Sequence, residues 1–184
     1  MSVRDEDRIW MAPTSVQKER LERHHLFELD LEGRIVGHPG EPLRISACAP
    51  LFMNAYRLRG AGAVIHSHSI HAVMATMVFS SELRVTHLEA MKGIRGVGYH
   101  DVHAVPIIAN TAHESDLAED MARAMDAYPL SDAVLVKRHG AYVWGQDWVE
   151  AKTQAECYHF LFDAAVRMRG LGMDPAEPPE PPKR

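Results

Sequence analysis

An apolar run, Ala61-Gly62-Ala63-Val64-Ile65, ends in His66-Ser67-His68, and this junction constrains the chain more than any other stretch. The run is short, apolar and bounded by turn or cap residues, which is the pattern of a buried strand. Side chains alternate faces along a strand, so His66 and His68 point the same way, with Cα atoms roughly 6.6 Å apart. Two imidazoles at that spacing can converge on one metal ion. A second apolar run, Ala133-Val134-Leu135-Val136, leads toward His139-Gly140 and offers a third imidazole. Three neutral imidazoles with one open position make a catalytic zinc site rather than a closed structural one. Spacing alone leaves open whether the two strands meet. The chain has 12 histidines, and a lone His-x-His is a weak signal of metal binding. A further histidine just after another buried strand raises it.

Length and composition describe an ordinary soluble domain. At 184 residues, 46% of them hydrophobic and 24% charged, the chain can bury a sizeable core in one unit. The formal net charge of -5 and the absence of a Lys/Arg run argue against nucleic acid as a partner. A small anionic substrate is still allowed, because a local site can be basic within an acidic protein. Cys48 and Cys157 form neither a disulfide framework nor a CxxC pair, so a reducing compartment is the simpler reading. No stretch approaches the roughly 18 apolar residues of a membrane span. The charged start, Met1 to Asp7, lacks the apolar centre of a signal peptide. The expectation is a cytoplasmic protein with no membrane contact.

Strand and helix patterns alternate along the chain without repeats. Residues 9–12 read as a strand ended by Pro13, and residues 26–31 as another that turns at Glu32-Gly33 into Arg34-Ile35-Val36. Residues 51–58 read as a helix begun by Pro50 and stopped at Gly60. Ser69 is a helix N-cap, and Thr111-x-x-Glu114 is a capping box opening a helix whose stripe is Leu117, Met121, Ala124, Met125 and Tyr128. Residues 104–108 are extended, Tyr142-Val143-Trp144 follows a tight turn at Gly140, and Asp147-x-x-Glu150 opens a last helix running to about Gly170. Tyr142 and Trp144 are expected in the core or at an interface. Residues 175–184, rich in Pro and charge, read as a disordered tail behind a single domain of residues 1–174. The fold class is α/β, with a mainly antiparallel or mixed central sheet flanked by helices.

Four blocks carry a resemblance: Pro50-Leu51-Phe52-Met53-Asn54-Ala55-Tyr56, residues 60–69, Thr86-His87-Leu88-Glu89-Ala90-Met91-Lys92-Gly93, and residues 136–145. They resemble the methylthioribulose-1-phosphate dehydratases, a branch of the class II aldolase and adducin family, and residues 13–20 add to the likeness. The resemblance implies the three-layer class II aldolase/adducin-like fold. It implies a zinc lyase of methionine salvage that acts on a sugar phosphate. It also implies a homotetramer with active sites near subunit contacts. The family's metal histidines fall on His66, His68 and His139, one Zn2+ per subunit. Its acid/base glutamate falls on Glu89 and a substrate-contacting cysteine on Cys48. Vertebrate-type members are also described as binding an apoptosome adaptor protein, which makes that protein an implied partner.

The departures from the family pattern set further expectations. A helical segment and a Gly-rich Thr-Gly-x-Gly-Gly loop normally precede the strand at Ile9, so the chain reads as N-terminally shortened, with part of the phosphate cradle absent. Thr14-Ser15 stands where the family reads Ser-Gly, and Ala47 where a Gln is expected before Cys48. Plainer readings stand beside the functional ones. Thr86-x-x-Glu89 is itself a capping-box pattern, Cys48 suits a small buried apolar position, and Lys18 is either a phosphate contact or a solvated charge. Two other functions fit the same residues: a class II sugar-phosphate aldolase, and a non-catalytic, adducin-like interaction protein.

Overall fold

The computed structural model describes residues 1–180, and the apolar runs of the sequence become the centre of its sheet. The first four strands are β1 (Ser2–Asp5), β2 (Arg8–Met11), β3 (Phe27–Leu29) and β4 (Ile35–Gly37). Next come α1 (Ala49–Arg59), β5 (Ala63–Ser67), α2 (Ile70–Val78), β6 (Glu82–Thr86) and β7 (Val102–Ile108). The chain continues through α3 (Ala118–Ala127), β8 (Ala133–Val136), β9 (Gly140–Gly145) and the long α4 (Trp148–Gly170). Among the described residues the sheet is nine-stranded, in the order β4-β3-β2-β1-β5-β9-β8-β7-β6. Only β7 and β8 pair in parallel; the other neighbours are antiparallel.

Helices cover both faces, and side-chain alternation sorts the core into two layers. Val134 and Val136 of β8, with Tyr142 and Trp144 of β9, pack against α1 and α3. Ala133 and Leu135, with Ala141 and Val143, pack against α2 and α4. Strands covered on both sides read as continuous apolar runs, which is why β8 and β9 stand out in the sequence. Full burial of side chains such as Leu51, Phe52 and Leu135 stabilises the fold by roughly 1.5–3 kcal/mol each.

Local signals set the helix ends. Gly60 closes α1 in the left-handed region at φ 60°, a conformation that suits glycine. The Ser69 side chain accepts from His71 N–H, and Asp147 accepts from Glu150 N–H. Two expectations need correction. Thr111-x-x-Glu114 does not form its box: the Thr111 hydroxyl donates to the His113 carbonyl, and Glu114 enters a 3-10 turn, Glu114–Leu117, before α3 begins. The segment after residue 174 does not leave the domain at once either. Pro175 is buried and its carbonyl accepts from Thr86 N–H at 2.9 Å. Residues 181–184 of the expected tail lie outside the described residues.

Candidate metal centre

The two histidine-bearing strands do meet. Strands β5 and β9 pair antiparallel, with His66 opposite Tyr142 and Ser67 opposite Ala141. His68 therefore leaves β5 beside Gly140, and His139 sits in the turn that precedes it. That turn is pinned from two sides: Lys137 N–H donates to the Ile108 carbonyl and Arg138 N–H to the Thr76 hydroxyl. Arg138 holds a positive φ of 54° to make the reversal. The three Nε2 atoms lie 2.8, 3.2 and 3.1 Å apart, for His66–His68, His66–His139 and His68–His139 respectively. Three nitrogens about 2.0–2.1 Å from one tetrahedral zinc stand roughly 3.3 Å from each other. Two of the three separations are within 0.2 Å of that, and the His66–His68 one is 0.5 Å shorter.

Hydrogen bonds on the far side of two rings decide what faces inward. His66 Nδ1 lies 3.1 Å from the Ala141 carbonyl, and His139 Nδ1 lies 3.1 Å from Asn110 Oδ1. Both partners are acceptors in these contacts, so each Nδ1 carries the proton and each Nε2 presents a bare lone pair. Burial, and then the neighbouring His66, lower the basicity of His68 and His139 and favour their neutral forms. Lone pairs aimed at one another are repulsive unless a cation lies between them. The donor set therefore fits a divalent metal, and His66, His68 and His139 are the residues that would hold it.

A carboxylate shares the site. Glu114 Oε1 lies 3.1 Å from His66 Nε2 and 3.6 Å from His139 Nε2. The same oxygen accepts from the Tyr142 hydroxyl at 2.5 Å and from the Cys48 thiol at 3.1 Å. Burial opposes ionisation of Glu114, but hydrogen bonds donated by the Tyr142 hydroxyl and the Cys48 thiol are among the contacts that hold its carboxyl below the usual carboxylate range. Burial first, then the Glu114 carboxylate, pushes the Cys48 thiol up to about 11, so sulfur stays protonated. Burial likewise raises Tyr142, whose ring stacks on His66 at 4.2 Å. An open cleft of about 450 Å³ runs past His68, Asn110, Glu114 and His139, with Arg138 at its wall.

The structure thus brings together four of the five residues singled out in the sequence: His66, His68, His139 and, through Glu114, Cys48. Glu89 is not among them within one chain. It lies on a 3-10 turn, Glu89–Gly93, with its side chain 77% exposed and 2.8 Å from Lys92 Nζ. Nor is it part of the capping box its pattern allowed: the turn's N-cap position is Leu88, with no side-chain cap bond, and the Thr86 hydroxyl donates to the Asp101 carbonyl. Lys18 donates to the Pro13 carbonyl at 2.6 Å. Glu114 is the residue that reading the sequence missed. A second imidazole group, His24, His25 and Glu41, is a poor metal site. His25 Nδ1 accepts from Glu22 N–H, which leaves the proton on the Nε2 that would have to bind.

A mixed sheet between two helical layers, with an imidazole triad at its strand ends, defines an α/β domain suited to a divalent metal. The model of the class II aldolase and adducin N-terminal domain matches residues 1–166, and the chain belongs to that family. A methylthioribulose-1-phosphate dehydratase of Aquarana catesbeiana is 51% identical over 188 residues, covering 97% of this chain and 79% of that protein. A probable bifunctional methylthioribulose-1-phosphate dehydratase/enolase-phosphatase E1 of Arabidopsis thaliana is 48% identical over 187 residues, which is 97% of this chain. The chain spans only 37% of that plant relative's length. An L-fuculose 1-phosphate aldolase shares the fold with a TM-score of 0.76 at 20% identity, over 97% of this chain and 79% of its own.

Proposed function

We propose that the chain dehydrates 5-methylthioribulose 1-phosphate to 2,3-diketo-5-methylthiopentyl 1-phosphate, a step of methionine salvage, with one Zn2+ per subunit. The convergence of His66, His68 and His139, with their inward lone pairs, carries this reading. The similarity to named dehydratases supports the choice of reaction. The reaction removes the C3 proton of a ketose phosphate, expels the C4 hydroxyl as water, and lets the resulting enol tautomerise to the diketone. When bound, the metal supplies Lewis acidity toward the ketone oxygen and the negative charge that develops there.

The protein's own groups do the rest. Tyr142 and the Ala141 carbonyl fix the His66 ring from one side, and Asn110 fixes His139 from another. The Cys48 thiol, buried at the start of α1, is the proposed substrate contact. Arg138 gives the cleft a positive charge suited to a phosphate. Glu89 is the proposed acid/base: it takes the C3 proton and helps to protonate the leaving hydroxyl. Because its side chain is exposed within one chain, the proposal has it serve the site of a neighbouring subunit, in a homotetramer whose sites lie near subunit contacts. A cytoplasmic location and an apoptosome adaptor protein as partner belong to the same reading through the resemblance. Among the described residues no helix is long and apolar enough to cross a membrane.

The test is a product assay on the purified, zinc-loaded chain with 5-methylthioribulose 1-phosphate. Diketone formation is expected, and Glu89→Gln should lose roughly 10²–10⁴-fold in turnover with its zinc retained. An aldehyde product would make the protein an aldolase. A fully loaded chain with no turnover would leave the interaction-protein reading, and normal turnover in Glu89→Gln would remove that residue from the chemistry.

A further inference from the structure

The sheet opens at the end away from the histidine triad. Strand β7 starts at Val102, yet β8 pairs with it only at Ile107 and Ile108. Beside the gap the Ala133 N–H bonds to the Ser131 hydroxyl, which donates back to the Ala133 carbonyl, so β8 closes on itself there rather than on β7. The gap is a slot of about 320 Å³ between the first half of β7 and residues 127–131. That is the lower end of the size range of small-molecule sites, roughly 300–1,000 Å³. Val97 lines it, and Val102 and Leu130, 55% and 76% exposed, form an apolar rim. His103 also lines the slot, although it is only 3% exposed. The Tyr158 hydroxyl accepts from Asp132 N–H and gives its own hydrogen to His103 Nε2, 3.1 Å away. The neutral ring therefore carries its proton on Nδ1, and burial keeps it neutral by holding it down at about 4. Among the described residues this Nδ1–H meets no acceptor, and it is not sealed in like the orphaned nitrogens of Arg59, Trp144 and His159. The opening it faces is the slot.

We propose that this slot is a second ligand site, separate from the metal centre, and that it takes a small uncharged molecule whose carbonyl oxygen accepts from His103 Nδ1–H while its aliphatic body lies against Val97, Val102 and Leu130. The other polar side chains of the slot are already engaged. Arg84 and the Tyr128 hydroxyl both donate to Glu82, Asp101 accepts from Gly98 N–H, and the Ser131 hydroxyl is held by Ala133. Arg84 and Asp101 bring one charge of each sign, and each has its partner, so nothing there calls for a charged ligand. The buried, unpaired N–H is the group left to recognise something, and an unmade hydrogen bond of this kind is costly. Apolar walls with one aimed polar group are the make-up of a small-molecule site.

The probe is isovaleramide, a branched aliphatic amide, with isovalerate as its anionic match. Both are titrated into the full, zinc-loaded chain at pH 7.5 and followed by NMR of the backbone amides and the histidine ring nitrogens. Isovaleramide should shift His103 Nδ1 and the amides of Val97, Ala104 and Leu130, saturating in the millimolar range that suits so small a ligand. Isovalerate should bind more weakly. His103→Phe keeps a ring but removes the donor, and should weaken binding about tenfold, the worth of one hydrogen bond. Ala104→Leu fills the slot from β7 and leaves the Tyr158 bond to His103 in place, so it should abolish binding; it decides the matter should His103→Phe not fold, which urea unfolding shows. Three results would overturn the proposal: no saturable shift at these residues, shifts confined to His66, His68 and His139, or isovalerate binding as tightly as the amide. Wild-type binding in a folded Ala104→Leu would do so too.

Discussion

Gly140 is where packing and chemistry meet most closely. It opens β9 directly after His139, and its backbone lies against Ser67 and His68 of β5. A Cβ added at Gly140 would sit 2.1 Å from the Ser67 carbonyl oxygen and 3.2 Å from His68 Cα. Real Cβ contacts essentially never fall below 3.0 Å, and the clashing atom is backbone, so no rotamer change relieves it. The two strand ends must part by nearly an ångström in Gly140→Ala. They carry His66 and His68 on one side and His139 on the other, whose Nε2 atoms are only 2.8–3.2 Å apart. Overpacking of this kind costs roughly 1–3 kcal/mol of stability. Opening the triad by that distance should lower metal affinity about 10–100-fold, the scale seen when the supports of metal ligands are lost. Turnover should fall by about 10²-fold, as expected of a 1 Å misplacement. The assay is chelator competition at pH 7.5, run beside urea unfolding, with Gly170→Ala as control because nothing lies within 4 Å of its added Cβ. A folded Gly140→Ala that keeps wild-type metal affinity would refute the coupling of this contact to the site.

Two further predictions concern the end of the sheet away from the metal. Burial holds His103 down at about 4, against an ordinary 6.5, and Tyr158, whose hydroxyl accepts from Asp132 N–H, donates to its Nε2 at 3.1 Å. The unfolded chain gains this proton first as pH falls, so the stabilisation is complete above pH 6.5 and lost progressively down to about pH 4. Between pH 7 and pH 4 the wild type should lose roughly 3 kcal/mol more than His103→Gln in urea unfolding; parallel pH profiles would show that His103 titrates normally. Arg95 grips Asp132 with two bonds, 3.0 and 2.7 Å, while the Asp132 side chain is only 6% exposed. Arg95→Met should cost roughly 2 kcal/mol, less than a fully buried pair because Arg95 is partly solvated, and a second change, Asp132→Asn, should recover much of it. A double variant no more stable than Arg95→Met would locate the cost in lost packing rather than in a stranded charge.

What could be read from the sequence follows from how local each signal is. Strands β5, β8 and β9 were legible because both of their faces are covered and the code for that is a short apolar run. The triad was legible because a period of two puts His66 and His68 on one face, and His139 follows another such run. Strand β1 was not, because Ser2-Val3-Arg4-Asp5 is polar and only its first residue is buried. Its strand character comes from its neighbours: β2 pairs along all of it, β5 meets Ser2 and Val3, and the Ser2 hydroxyl meets Tyr56 at 2.7 Å. Glu114 was hidden for the opposite reason. A convincing local pattern, Thr111-x-x-Glu114, assigned its side chain to a helix end, and partners 28 and 66 residues away in sequence took it instead.

Topology explains why those partners win, and why the site can change without the fold. Strand β9 runs antiparallel to both β5 and β8, and β7 runs parallel to β8. The carboxyl ends of β5, β7 and β8 therefore lie at one edge of the sheet. The segments just beyond them deliver His68, Asn110 with Glu114, and His139, while the start of α1 brings Cys48 to the same place. His103 and Asp132 occupy the other ends of β7 and β8, under α4. A change there alters the stability of a scaffold whose metal-bearing edge stays intact, so metal affinity should hold while the unfolding midpoint moves. At Gly140 the two cannot be separated, because the scaffold contact and the spacing of the ligands are the same few atoms.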